Sequence, residues 1–206
     1  MTREIFNRIL KVLGVVLSLA TITIAQELTQ LERDRAIRYL VDSRNGVQEA
    51  VKGLTETQLN FKPSPFSWSI AEIIEHLAVA EERLNGGIFG QLKNSLSASP
   101  SRDPQSVDEM ILAKVPDRSA KFQAPEAVRP TGRWTAKASL DHFLAARAQT
   151  ITFMQTSPDL RHHQITHPAL GPLDGYQWAL AVAAHAERHT KQIIEVKNDP
   201  HFPAEQ

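Results

Sequence analysis

Apolar residues recur at helical spacing in two stretches of the first half of the chain. The first stretch runs from Leu28 to Leu54, and the second from Ile70 to Lys93, with Gly86-Gly87 as a weak point late in it. Their apolar positions follow the period of about 3.6 residues that marks one face of a helix. Ser69 and Glu72 have the spacing of a capping box, which predicts that the second helix begins directly after Ser69.

Two further helices are predicted in the second half. The third is capped by Ser139 or Thr135 and ends at Ser157-Pro158, while the fourth opens at Asp174 or Gly175. No stretch alternates clearly between apolar and polar residues, so we expect no β-strand. No internal repeat is visible either.

A long connection separates the second and third helices. Residues 95–136 carry five prolines and several serines, and the pattern from Val107 to Lys114 predicts a short helix within them. Connections between bundle helices are usually about 2–8 residues long, so this one predicts a crossover from one end of the bundle to the other. We therefore expect an all-α fold, a four-helix bundle with a long crossover connection between helices 2 and 3.

Residues 1–25 have the pattern of a secretory signal peptide. Basic residues precede an apolar run from Val12 to Ile24, and the run ends in small residues where a signal peptidase reads the chain. The run is shorter than the roughly 20 residues that a membrane span requires. We expect cleavage after Ala25, with cleavage after Ala20 or a retained anchor as the alternatives. An exported domain of residues 26–206 follows, with no stable membrane insertion after cleavage.

Composition and charge narrow the classes of function. The 206 residues suffice for one domain with a sizeable core. Lysine plus arginine equals aspartate plus glutamate at 23 each, which gives no electrostatic reason to expect a nucleic-acid partner. The absence of cysteine excludes disulfides, thiolate metal ligands and a cysteine nucleophile. The expected partner is an unidentified small-molecule substrate, and a homodimer stays an alternative to a monomer.

Two histidines lie on the apolar face of the fourth helix. His185 and His189 are spaced i, i+4, so both rings project from one side and could bind one metal ion. The same face carries Trp178, Val182, Ile193 and Val196. An unpaired polar group costs a few kcal/mol when buried, so these imidazoles need partners.

A third candidate ligand, His76, lies on the flank of the apolar stripe of the second helix. Three neutral imidazoles would leave a divalent ion with its full charge and at least one open position for water or an anionic group. The alternative for each residue is a histidine bonded to a neighbouring side chain or carbonyl. The residues alone leave both interpretations open.

Two segments resemble the DinB-like (DinB/YfiT-type) superfamily. Phe66 to Leu77 (FSWSIAEIIEHL) resembles its second-helix signature. His167-Pro168, Gly171, Trp178 and the segment His185 to Ile193 (HAERHTKQI) are similar to its closing segment. The resemblance spans roughly Leu28 to Lys197, with the order and spacing of the family.

The resemblance implies a four-helix bundle that binds a divalent metal, often zinc or nickel, through His76, His185 and His189. Family members include thiol-dependent S-transferases and isomerases, and many are known only as metal-dependent hydrolases. Export would separate this chain from cytoplasmic thiols, which disfavours the transferase. The hypotheses are an enzyme that activates water or a thiol, an exported protein that holds metal or a small ligand without turnover, and a metal-free interaction module.

Several polar residues near the three histidines have two interpretations. Glu187 points about 200° away from His185 on the helix, so we do not expect a general base there. His142, Glu72 and Glu75 could orient a ligating imidazole, but solvated side chains are the favoured interpretation. Gln192 could face the cleft between the helices that carry the three histidines. The tryptophans at the helix starts, Trp68 and Trp178, are expected to serve packing rather than substrate binding, and His162 and His163 to lie in a loop.

Overall fold

The computed structural model describes residues 27–95 and 102–204, and the predicted signal peptide lies outside them. The four predicted long helices are present, but the second is interrupted late in its length. In chain order the helices are α1 (Gln30–Val51), α2 (Glu56–Asn60), α3 (Ile70–Arg83), α4 (Phe89–Asn94), α5 (Pro104–Lys114), α6 (Ala136–Thr156) and α7 (Gly175–Lys197). In the described part of the chain, no helix is long and apolar enough to cross a membrane.

Side-chain caps set the starts of the long helices. Ser69 and Glu72 form the predicted reciprocal capping box at α3, and Thr29 with Glu32 forms another at α1. Thr135, rather than Ser139, caps α6. Asp174 caps α7 by accepting from the backbone N–H of Gln177, 2.8 Å away. Each cap satisfies a backbone donor that has no partner within its helix.

The long helices run up, down, down and up. α1 and α7 are parallel, because Tyr39 bonds Glu187 near the middle of both helices and Lys197 bonds the carbonyl of Ala50 near their ends. α6 is antiparallel to α1, since Arg33 at the start of α1 donates to the carbonyl of Ser157 just after α6. α3 and α6 are parallel in turn. The connection between them must return along the whole bundle, which confirms the predicted crossover.

The crossover contains α5, which lies along the outer side of α7. Gln177, at the start of α7, donates to Asp108 of α5 at 3.1 Å. Further along, Arg188 donates to the carbonyl oxygens of Val115, Asp117 and Ala120. The bundle covers one side of α7 and the crossover covers another, so the helix is buried well beyond a single apolar stripe.

The second predicted helix is not one continuous α-helix. A π-helical turn, Leu84–Ile88, separates α3 from α4 at the glycine pair noted in the sequence. Glycine weakens an α-helix because its backbone is the least restrained, so the wider turn costs least at this point. The side chain of Asn85 in this turn donates to the carbonyl of Ala146 on α6 at 2.8 Å.

The expectation of no β-strand was wrong. β1 (Gln164–His167) and β2 (Gly171–Asp174) pair as an antiparallel hairpin, with Gln164 opposite Asp174 and His167 opposite Gly171. Gly171 has φ +78°, a backbone conformation that glycine adopts without steric cost. Strands of four residues are too short to show a period, and contacts with the rest of the fold hold this hairpin in place.

One such contact is a buried arginine beside the hairpin. The guanidinium of Arg161 bonds Asp174 at the end of β2, Asp108 on α5 and Glu32 on α1. It also lies over the ring of Tyr176 at 4.2 Å from the centroid. Arg161 therefore connects the hairpin, the crossover, α1 and α7.

The core divides into clusters along the bundle. One cluster, at the end where α1 and α7 finish and α3 starts, contains Val51, Ile70, Ile73, Ile74, Ile193 and Val196. The candidate ligands His76 and His189 lie one turn further into the bundle on the same two helices. This apolar cluster therefore closes off one side of the candidate site.

Candidate metal centre

The three predicted histidines meet between α3 and α7. Nε2 of His185 lies 3.1 Å from Nε2 of His76 and 3.1 Å from Nε2 of His189. One ring nitrogen from each residue falls within 4.8 Å of the others. Nitrogens bound to one ion at about 2.0–2.1 Å lie roughly 3.0–3.4 Å apart, so the separations fit a shared ion.

Hydrogen bonds on the far side of two rings decide which nitrogens are free. Nδ1 of His76 lies 2.7 Å from the carbonyl oxygen of Val128, and Nδ1 of His189 lies 2.8 Å from Oε1 of Gln192. Both oxygens are acceptors, so each Nδ1 carries the proton and donates it. The Nε2 atoms of His76 and His189 then present lone pairs to the centre of the cluster.

Neutral histidines cannot satisfy this cluster by themselves. His185 Nε2 faces the lone pairs of both His76 and His189 and can donate one proton to only one of them. The remaining contact would set lone pairs against each other in a buried place. A cation at the centre would accept the Nε2 lone pairs of all three rings. Histidines that bind a metal through one ring nitrogen usually donate from the other to a nearby oxygen, as His76 and His189 do here.

Burial favours the neutral, metal-binding form of the rings. The side chains of His76 and His189 are buried, whereas His185 is partly exposed. Burial lowers the pKa of His76, and burial with the neighbouring rings lowers the pKa of His185 and His189 well below the ordinary value. All three imidazoles are therefore neutral near pH 7.

Gln192 faces the cluster, as the sequence allowed. Its Oε1 accepts from His189 and lies 3.4 Å from Nη1 of Arg118, a crossover residue. Arg118 in turn forms a two-pronged ion pair with Glu195, with distances of 2.7 and 2.6 Å. A chain of contacts thus runs from His189 through Gln192 to the crossover.

Glu75 is not the solvated side chain that the sequence favoured. Its carboxylate is buried and accepts from the backbone N–H of Thr131 at 2.8 Å and of Gly132 at 2.9 Å. Burial alone would raise the pKa of Glu75, but these donors outweigh it and hold the pKa below the ordinary value. The carboxylate therefore stays charged and binds the loop that follows Val128.

The other polar candidates do not contact the three histidines. Glu72 caps α3 and pairs with Lys62, and His142 bonds Glu82 and stacks on Trp134. Both side chains are half-buried and bonded to protein neighbours, so they are neither groups that orient the three rings nor simply solvated.

Glu187 bonds Tyr39 and Lys191, so it points away from the cluster as predicted. His162 and His163 follow α6 and precede β1, in the loop where the sequence placed them.

Trp68 packs directly against the cluster. Its ring centroid lies 5.0 Å from that of His76 and 6.4 Å from that of His189. It is half-buried and packs on two of the three rings, as the packing interpretation predicted. Trp178 is buried and lies against His167, 5.0 Å between ring centroids.

Sequence reasoning missed the acceptor of His76. The carbonyl of Val128 belongs to the backbone of the crossover, and a backbone acceptor leaves no signature in residue type. The role of Arg118 was missed for a related reason, because nothing in the chain relates residue 118 to residue 192 before the fold is known.

Comparison with known proteins gives related sequences and related folds. The family model for the DinB superfamily matches residues 39–193. The uncharacterized protein YuaE of Bacillus subtilis is 26% identical over 149 residues, which covers 71% of this chain and 88% of YuaE.

Two solved structures share the fold. YfiT from Bacillus subtilis, described as a probable metal-dependent hydrolase with an unusual four-helix bundle topology, has a TM-score of 0.59 at 15% identity, covering 85% of this chain and 91% of YfiT. A conserved protein from Enterococcus faecalis has a TM-score of 0.52 at 18% identity, covering 84% and 96% of the two chains. At these identities the likeness concerns the fold alone.

Proposed function

The chain belongs to the DinB superfamily, and we propose that it is a metal-dependent enzyme whose divalent ion is held by His76, His185 and His189. The observation that carries the proposal is the convergence of three Nε2 atoms, two of them on rings whose Nδ1 protons are already bonded elsewhere. The family resemblance favours zinc or nickel as the ion.

The residues of this chain have distinct tasks in the proposed site. A divalent ion bound by three neutral imidazoles keeps its full charge and lowers the pKa of a water or thiol bound to it. His76 and His189 are fixed by their outer hydrogen bonds and set the direction of their lone pairs. His185 joins the other two rings by its Nε2, which lies 3.1 Å from the Nε2 of each.

We infer hydrolysis or group transfer as the reaction class. None of the described carboxylates bonds to the three imidazoles, so the protein adds no negative charge to the ligand set. Such a site favours attack by water or binding of an anionic group. We also propose, from the signal-peptide pattern of residues 1–25, that the protein is exported, which favours hydrolysis over transfer to a cytoplasmic thiol.

A second candidate is a protein that holds metal or a small ligand without turnover. What favours it is that, among the described residues, no acid or base outside the cluster bonds to the three rings. The two candidates differ in one measurement. Metal-loaded protein that hydrolyses none of a panel of activated esters, amides and phosphoesters supports the binding protein.

Metal content of the purified protein tests the proposed site. We expect about one divalent ion per chain in the wild-type protein, and at least a tenfold loss of affinity in His185→Ala and His189→Ala, since each removes one of three ligands. His142→Ala is the matched control, because His142 lies on the surface of α6. Equal metal content in all four proteins would refute the site.

A further inference from the structure

We propose that Glu75 is a positioning residue of the metal site, which fastens the crossover to α3 so that the carbonyl of Val128 stays on Nδ1 of His76. The inference rests on the proposed function for its consequence in metal affinity. The arrangement of Glu75, the loop and His76 is observed independently of any ion.

Neighbouring residues of α3 hold the same loop at two points. His76 bonds the carbonyl of Val128 at 2.7 Å, and Glu75 bonds the backbone of Thr131 and Gly132 at 2.8 and 2.9 Å. The hydroxyl of Thr131 adds a further bond to Oε1 of Glu75 at 3.1 Å. The two carboxylate oxygens therefore hold two consecutive peptide N–H groups, and Nε of Arg133 lies 3.4 Å from Oε1 of Glu75 as well.

The loop has few other attachments near this point. Residues 119–123 and 125–127 are exposed, and so are Arg129 and residues 131–133. Gly132 has φ +72°, and a Cβ built on it would meet no other part of the fold within 4 Å, so nothing packs against that side of its backbone. The carboxylate of Glu75 thus bonds the exposed backbone directly after Val128, where the side chains of the loop are not packed against the bundle.

The charge of Glu75 matters to this role as well as its shape. Hydrogen bonds to a carboxylate are roughly twice as strong as bonds between neutral groups. Glutamine in its place would keep one oxygen for Thr131 but turn an N–H₂ group towards the N–H of Gly132, setting donor against donor. We therefore expect Glu75→Gln to release the loop while leaving the volume of the side chain unchanged.

Release of the loop from α3 would lower metal affinity by changing the tautomer of His76. With no acceptor at Nδ1, the ring can carry its proton on Nε2, which removes the lone pair that faces the ion. A glutamate that only stabilised the fold would change the melting temperature but leave the tautomer of His76 as it is. The tautomer therefore separates positioning from general stability.

The test uses ¹⁵N-histidine NMR on the metal-free protein, followed by zinc and nickel affinity measured by competition with a chelator. In the wild type we expect His76 to be protonated on Nδ1. In Glu75→Gln we expect a mixture of tautomers and a metal affinity lower by about 10- to 100-fold. Thr131→Val removes one of the bonds at an exposed residue and should shift both readouts in the same direction by less.

Glu82→Gln is the matched control, since Glu82 lies on the same helix and bonds His142 at the surface. It should leave the tautomer and the affinity at wild-type values. A Glu75→Gln protein with wild-type tautomer and wild-type affinity overturns the proposal. If Glu75→Gln does not fold, an unchanged tautomer in Thr131→Val overturns it. If the wild type itself binds no metal, the proposed function fails, and the tautomers of the metal-free proteins still decide whether Glu75 positions His76.

Discussion

The guanidinium of Arg147 bonds the carboxylate of Glu81 in a part of the bundle that water does not reach. Nε of Arg147 lies 2.9 Å from both carboxylate oxygens, and the two side chains are 0% and 2% exposed. The same guanidinium donates to the carbonyl of Leu40 and to the hydroxyl of Ser43, each at 2.7 Å. One charged residue thus joins α6 to α3 and to α1.

Removing Arg147 should be far more harmful than removing both charges. Arg147→Met leaves the Glu81 carboxylate buried without a partner, and burial already raises the pKa of this group. We expect a loss of about 3–5 kcal/mol in the free energy of unfolding, measured in urea, and a partial recovery in the Arg147→Met/Glu81→Leu double variant. Lys137→Ala breaks an exposed ion pair with Asp141 and should cost at most about 1 kcal/mol. Equal losses of stability in Arg147→Met and Lys137→Ala would contradict the prediction.

The cap of α7 should make stability depend on pH. Burial raises the pKa of Asp174 to about 6, because the loss of water outweighs the charge of Arg161. An acid whose pKa is higher in the folded state contributes stability at low pH and loses it as pH rises through the folded pKa. Between pH 7 and pH 5, wild-type protein should gain about 1 kcal/mol relative to Asp174→Asn.

Asparagine caps a helix about as well as aspartate, so Asp174→Asn keeps the cap, removes the titrating charge and weakens the bond to Arg161 at every pH. The measurement is the free energy of unfolding from urea titrations at several pH values between 4 and 8. Parallel pH profiles for the two proteins would show that Asp174 does not titrate in this range.

Gly175 should not tolerate a side chain. A Cβ there would lie 2.8 Å from Cδ2 of Leu160 and 3.2 Å from its carbonyl oxygen, so the start of α7 would have to move away from the chain that precedes β1. We expect Gly175→Ala to cost about 1–3 kcal/mol. Gly90, within α4, has nothing within 4 Å of a built Cβ, so Gly90→Ala should stabilise by up to about 1 kcal/mol. Thermal melts of both variants give the comparison, and a stabilised Gly175→Ala would contradict it.

Gln192 should matter to metal affinity although it does not touch the ion. Gln192→Leu removes the acceptor of His189 Nδ1 while preserving much of the side-chain volume. We expect zinc or nickel affinity to fall by about 10- to 100-fold. Glu187→Gln on the same helix, which faces Tyr39, should leave the affinity unchanged. Equal metal affinity in Gln192→Leu and Glu187→Gln would contradict the prediction.

Much of the fold was predictable because its signals are local. The capping box at Ser69 and the caps at Thr135 and Asp174 involve residues within three positions of one another, so the sequence itself carries them. The long connection predicted the crossover for a similar reason. Its length exceeds what neighbouring antiparallel helices require.

The pair of candidate ligands on α7 was predictable from one helix, whereas their surroundings were not. The spacing of His185 and His189 puts both rings on one side whatever packs against them. The burial of Glu75 depends on backbone N–H groups more than 50 residues away, at Thr131 and Gly132. The β-hairpin was not predicted, because its strands are too short to show an alternating pattern. Contacts with Arg161 and its acidic partners hold it in place instead.

The parallel pairing of α1 with α7 has a consequence for synthesis of the chain. Residues that bond each other across this pair, such as Ala50 and Lys197, are 147 positions apart. A ribosome adds about 5–20 residues per second, so the apolar side of α1 waits on the order of 10–30 s for its partner. The histidine pair on α7 arrives with the last helix, so the three-histidine cluster can assemble only when the chain is nearly complete.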